Sequence, residues 1–361
     1  MQSIANLVAQ YQTPETKFKI FCGNSDLDGG ELKGVAFNRW ITYNENTQVW
    51  YASKKSRSIK IILTEIKQSE ATVLFIIGIY SWYFNIVPLL FGTTKTKILS
   101  VRGMLHPGAL SQKPLKKKIY LAVLKLLRVQ RRIYFHATDE QEVLFIQVAF
   151  GKRINSFIAG NFPRIFDLQP VVQKSAGSLR MTSIALISPM KNIALVLESL
   201  QQCTQQIIYD IYGPVKDKRY WEGCIALIQQ LPSNISVRYK EAIEPATTEA
   251  TLSLYDIFIL PSKSENFGHA IFEALSAGKP VITGNFTPFN KLATQLAGKN
   301  VSIDNTKEIT AAINFFASMD LLDFTRWNIG AKAYATKQAD MAKLMRQYDV
   351  MFSGEGEVAG I

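Results

Sequence analysis

Residues 256–282 read DIFILPSKSENFGHAIFEALSAGKPVI, and this order of segments allows few folds. The apolar run 257–260 ends at Pro261, so it reads as a short parallel strand buried on both faces rather than as an amphipathic helix. A polar loop, 262–268, follows. From His269 the apolar residues Ile271, Phe272, Ala274, Leu275 and Ala277 recur at helical spacing until Gly278 and Pro280 stop the helix, and Val281 and Ile282 open a second strand. Such a loop lies at the carboxyl end of a strand and the positive end of a helix, where free N–H groups can hold phosphate or sugar oxygens. Glu265 stands in the loop. Glu273 stands about two turns into the helix between Phe272 and Ala274, where a carboxylate needs a partner, and a ligand hydroxyl would serve. An acidic residue that merely complements the helix dipole is the alternative reading.

The same alternation runs through the chain. Strands are expected at 18–22, 49–52, 72–79, 97–101, 132–136 and 156–158 in the first half, and at 181–186, 207–212, 235–239, 257–260, 281–283 and 301–303 in the second. Strands alternating with helices predict an α/β chain of parallel sheets. The segment 161–180, rich in proline, serine and glutamine, reads as a linker. The chain of 361 residues, 47% apolar, is long enough for two domains, placed at 1–165 and 166–336. An amphipathic segment from 324 to 352 includes a C-terminal helix, 337–353, and the tail 354–361 is expected to be mobile. Segment 71–91 is apolar but broken by Gly78, Ser81, Asn85 and Pro88, which predicts a strand, a turn and a helix rather than a membrane span. Residues 1–10 lack the pattern of a secretory signal. The three cysteines, Cys22, Cys203 and Cys224, suggest neither a disulfide framework nor a zinc site, and fit a reducing compartment.

Charge is unevenly distributed. Residues 1–165 carry 23 Lys and Arg against 10 Asp and Glu, whereas residues 166–361 carry 18 against 19. The densest stretch, 113–132, holds eight basic residues and no acidic one among regularly spaced leucines. It reads as a basic amphipathic helix suited to an anionic membrane surface or a phosphorylated acceptor, or as a core-packed helix with a solvated basic face. Nucleic acid is disfavoured as a partner because no nucleic-acid module accompanies the charge.

With its flanking words, 256–282 resembles the retaining nucleotide-sugar glycosyltransferases of family 4, in particular a bacterial surface-polysaccharide subgroup. SIALISPMKN at 183–192, IYGPVKDKRYWEGC at 211–224, Thr287-Pro288-Phe289, SDLDGG at 25–30, VRGMLHPGAL at 101–110 and FHATDEQE at 135–142 extend the likeness. The resemblance implies the GT-B fold, two Rossmann-like domains facing across a cleft, with the C-terminal helix crossing back to the first. It implies that Glu273 binds the nucleotide ribose, that Glu265 lies by the donor sugar and reacting centre, and that Lys191 binds the diphosphate. Asn266, Phe267, Gly268 and Gly213 would contact the donor through backbone, and Arg102 and His106 would line the cleft as donor or acceptor ligands. No metal and no cofactor is implied, the nucleotide-diphosphate sugar being a substrate. Transfer would retain the anomeric configuration, onto a glycan or lipid-linked hydroxyl acceptor in cell-surface polysaccharide assembly, by a cytoplasmic protein peripheral to the inner membrane face.

Two departures stand out. The family places an arginine five residues before the lysine, where this chain has Leu186, so either another cation substitutes or donor turnover is impaired. Relatives also open with a strand and a glycine-rich loop before the first helix, and here the helix at 3–11 comes first. Loss of a central strand would expose backbone and apolar side chains on its neighbours. The competing readings are a GT-B sugar-nucleotide epimerase and a non-catalytic relative that binds a partner or a membrane.

Overall fold

The computed structural model describes residues 2–25, 30–111, 113–169 and 173–354. The 25–30 word, apart from its end residues, and the tail beyond residue 354 lie outside the described residues. The chain divides into two units, residues 1–162 with 341–361 and residues 163–340, so the division falls three residues before the expected 165/166 boundary.

In the second unit six strands run parallel: β8 (Ser178–Ile184), β9 (Gln206–Tyr212), β10 (Ile235–Tyr239), β11 (Ile257–Leu260), β12 (Val281–Gly284) and β13 (Gly298–Val301). Their order is β10-β9-β8-β11-β12-β13. The chain starts at the centre, builds outward on one side, then returns to the centre and builds outward on the other. The β11 run IFIL is buried at every position, as a parallel strand covered on both faces requires. Polar side chains start several helices: Asp217 accepts from the Tyr220 amide, Asn305 from Lys307 and Glu308, and Asp320 from Asp323. The expected strand 301–303 lies three residues earlier, because GKNV pairs with β12 in spite of its weak apolar signal. The linker is shorter than expected, since Ser178 already begins β8.

In the first unit, β1 (Phe18–Gly23) pairs parallel to β3 (Thr47–Ala52), and β2 (Trp40–Asn44) pairs antiparallel to β3. β4 (Val73–Ile77), β5 (Thr96–Ser100), β6 (Tyr134–Ala137) and β7 (Asn155–Ile158) form a separate parallel sheet. Sequence reading missed β2, a half-exposed hairpin strand with no apolar run of its own. Among the described residues no ladder joins β1 to β4. Yet the Phe352 ring lies 5.9 Å from Phe18 on β1 and 5.9 Å from Phe75 on β4, so one aromatic side chain touches both strands. β4, VLFII, is wholly apolar, but only Ile76 is buried and Ile77 is 39% exposed. Among the described residues β4 is an edge strand, paired only with β5.

The expected C-terminal segment is two helices, Leu321–Gln338 in the second unit and Met341–Ser353 in the first. The latter buries Tyr348 and Met351 against Leu7, Tyr11 and Phe162, and Tyr11 donates its hydroxyl to Asp349 at 2.7 Å. Segment 71–91 is β4, a turn, a π-helical turn at Trp82–Ile86 and the short helix Val87–Phe91. Among the described residues no helix is long and apolar enough to cross a membrane.

Candidate functional site

In a doubly wound sheet the loops leaving neighbouring strands diverge where the strand order reverses, and a ligand crevice opens there. Here the reversal falls between β8 and β11. The loop after β8 carries Lys191 and the loop after β11 carries Glu265. The Lys263 amide donates to the Met190 carbonyl at 2.9 Å, which ties the two loops together backbone to backbone.

Lys191 Nζ lies 2.6 Å from Glu265 Oε1, and the Ser262 hydroxyl donates to the same oxygen at 2.7 Å. The two side chains are 22% and 12% exposed, so the pair is largely shielded yet open to a ligand. Both donors converge on Oε1. Oε2 takes no hydrogen bond among the described residues and remains free to accept from a ligand hydroxyl. Lys191 has three N–H donors, of which Glu265 uses one. Asn192, in the left-handed conformation at φ 60°, caps the next helix, Ile193–Leu200, and its amide donates to the Ile303 carbonyl at 2.9 Å. Lys191 therefore stands one residue before a helix cap, whose free N–H groups form the positive end of the helix.

The other expected residues take distinct places. Asn266 is exposed, while the Phe267 ring packs 4.6 Å from His269 and 5.9 Å from Phe272. Gly268 caps the helix His269–Ser276 at φ 73°, and a Cβ there would lie 3.0 Å from the Phe289 ring. Glu273 is 4% exposed and stands one turn into this helix, not two. Gly213, expected to admit the nucleotide, has a nearer reason to be glycine: a Cβ would sit 1.8 Å from the Ala185 carbonyl oxygen. Leu186 is half-buried. His269 begins its helix beside Phe267, a shaping position for the loop.

Arg102 and His106 lie in the first unit. Arg102 follows β5 at φ 48° and donates to Asn161, with Nε and Nη2 buried, so its guanidinium points into the unit rather than out to solvent. His106 accepts from the Gly108 amide at 3.1 Å and caps the short helix Pro107–Leu110, a structural task. His136 is fully buried between the Ser100 hydroxyl at 2.7 Å and the Ala159 carbonyl at 2.8 Å. Burial, then the neighbouring Arg102 charge, pushes its pKa down to about 3, so it is neutral. Glu142, which the sequence did not single out, accepts from the Gly103 and Thr138 amides and locks the β5 and β6 exit loops together. Among the described residues no His, Cys, Asp or Glu cluster could hold a metal ion, and the three cysteines are free.

The missed member of the Lys191 pair is Ser262, three residues before Glu265 within one loop; that spacing was the available signal.

Two α/β units, the second with a polar loop pair at its switch point, give the chain the GT-B fold. The fold is shared with Anabaena Alr3699/HepE, solved in complex with UDP and glucose (TM-score 0.68, 15% identity, 94% of this chain and 100% of that one). It is shared too with WaaG, a glycosyltransferase of lipopolysaccharide biosynthesis (TM-score 0.65, 11% identity, 98% and 95%). Residues 167–334, most of the second unit, match the family described as Glycosyl transferases group 1. Over 114 residues the chain is 30% identical to the O-antigen biosynthesis glycosyltransferase WclY of Escherichia coli, a match spanning 32% of this chain and 31% of that protein. The aligned stretch thus covers about a third of the curated relative's length.

Proposed function

We propose that the protein transfers a sugar from a nucleotide-diphosphate donor to a hydroxyl acceptor, with retention, in the assembly of a cell-surface polysaccharide on a lipid-linked carrier. The observation that carries this reading is the Lys191–Glu265–Ser262 constellation at the switch point of a group 1 domain. Lys191 and the cap of the following helix meet the diphosphate, and the ammonium offsets charge that develops on the leaving phosphate. Glu265 Oε2 accepts from a donor-sugar hydroxyl and holds the sugar against the acceptor. Glu273 binds the ribose from the helix that the loop feeds. In front-face transfer the acceptor hydroxyl is the nucleophile and the departing phosphate takes its proton, so no separate general base is required. The UDP and glucose bound by HepE and the O-antigen role of WclY support a nucleotide-sugar donor and a glycan acceptor.

Leu186 favours a second reading, a donor binder with slow turnover, because a leucine cannot neutralise phosphate where a cation is expected. Incubation of a panel of UDP-, GDP- and ADP-sugars with a lipid-linked glycan acceptor, followed by proton NMR, separates the readings. Nucleotide release with a product whose anomeric coupling matches the donor is expected. An inverted product overturns retention, an altered sugar without acceptor transfer indicates an epimerase, and donor binding without product favours the second reading.

A further inference from the structure

Met190 and Phe286 are large apolar side chains left in solvent on the loops around the Lys191–Glu265 pair, 44% and 63% exposed. One exposed apolar residue is ordinary, so the placement of these two carries the argument. Met190 directly precedes Lys191, and its carbonyl accepts the Lys263 amide at 2.9 Å. Phe286 belongs to the loop leaving β12, and its carbonyl accepts the Glu265 amide at 3.3 Å. Strands β8, β11 and β12 are neighbours in that order, so the Glu265 loop is fastened on one side to Met190 and on the other to Phe286. The turn that presents Phe286 is itself anchored: the Thr287 hydroxyl donates to the Gly284 carbonyl at 3.2 Å, and both Thr287 and Phe289 are buried. Neither Met190 nor Phe286 is part of the unit's core.

A sugar held at Glu265 meets two kinds of neighbour. Glu265 Oε2 and the exposed amides of Asn266 and Asn285 can serve its hydroxyls. Met190 and Phe286 offer a hydroxyl nothing. A hydroxyl turned against a thioether or a phenyl ring gives up water without gaining a partner, whereas a methyl group placed there leaves water at no polar cost. A plain hexose carries a hydroxyl or a hydroxymethyl group at every ring carbon beyond the anomeric one. A 6-deoxyhexose ends in a methyl group at C5, and a 2-acetamido sugar presents one on its acetyl group at C2. The phenyl ring supplies a broad apolar face to such a group, and the unbranched, polarizable methionine adapts to its shape.

We propose that Met190 and Phe286 set donor specificity, selecting a nucleotide-linked sugar that bears a methyl group, a 6-deoxyhexose or a 2-acetamido-2-deoxyhexose, over the plain hexoses. The inference rests on the glycosyl-transfer reading of the same site and narrows its substrate class.

The test is isothermal titration of the full chain, first with bare UDP, GDP and ADP. Binding of none of them removes the donor-site reading and this inference with it. Donors of the nucleotide that binds are then compared in the gluco, galacto and manno series, each as the plain hexose, its 6-deoxy form and its 2-acetamido form. In at least one series a methyl-bearing donor should bind about tenfold or more tightly than the plain hexose, and the two arms tell a methyl at C5 from one at C2. Phe286→Ser and Met190→Ser should each reduce that preference to about threefold or less, whereas Phe286→Leu, which keeps an apolar side chain, should retain it. Bare nucleotide titrated in parallel reports whether the site of each variant is intact. Nucleotide binding with the plain hexose equal or preferred in every series overturns the specificity and leaves the donor site standing. So does a methyl preference undiminished in both serine variants.

Discussion

Glu265 is the residue on which the polar contacts between the two loops converge, because one of its oxygens holds the Lys191 ammonium and the Ser262 hydroxyl while the other stays open. Glu265→Gln keeps the shape but removes the charge that orients Lys191, so kcat should drop by about 100-fold or more with a smaller change in donor Kd. Ser262→Ala, which only frees the carboxylate to turn, should cost about tenfold in kcat, and steady-state kinetics with the best donor separates the two effects. Both glutamates and Lys191 were legible, since they lie in distinctive local words. Their pairing was not, because 74 residues separate Lys191 from Glu265 and only the order of the strands brings them together. The inward setting of the Arg102 guanidinium was not legible for a related reason: nothing in the words around it encodes its burial beside Asn161. His136 makes a second residue-level prediction. Its folded pKa of about 3 lies below the unfolded value near 6.5, so the unfolded chain binds the extra proton, and its stabilising contribution is present above pH 6.5 and is lost as pH falls. Between about pH 6.5 and pH 4.5 this group should remove about 2 to 3 kcal/mol of stability. Urea titrations of wild type and His136→Gln at the two pH values check it, since the variant should lack that part of the slope.

At the level of elements, legibility followed burial. β11 and β12, fully buried apolar runs, stood where expected, whereas β2 and β13 depend on partners for their order and carry weak signals of their own. The split sheet of the first unit has a measurable consequence. In a parallel strand alternate amides point to opposite neighbours, so β1 and β4, paired on one side only, should show alternating fast and slow hydrogen exchange. β8 and β11, each paired on both sides, should be protected more evenly, and exchange followed by NMR would show uniform protection in β4 if that edge were covered in solution.

Over the whole molecule the excess charge and the proposed donor site occupy different units. Residues 1–165 carry 23 basic against 10 acidic residues, and the Lys191–Glu265 pair belongs to the nearly neutral remainder. Variants of the helix Pro114–Leu126 should therefore leave the donor Kd unchanged within about twofold, as expected for independent sites in separate units. The central claim is that the loops leaving β8 and β11 form the nucleotide-sugar site. Isothermal titration of the full chain with UDP-, GDP- and ADP-sugars tests it most directly. The account predicts saturable one-to-one binding of at least one donor, weakened about tenfold or more in both Lys191→Ala and Glu273→Ala. Binding of no donor to the wild-type protein, or undiminished affinity in both variants, would contradict it.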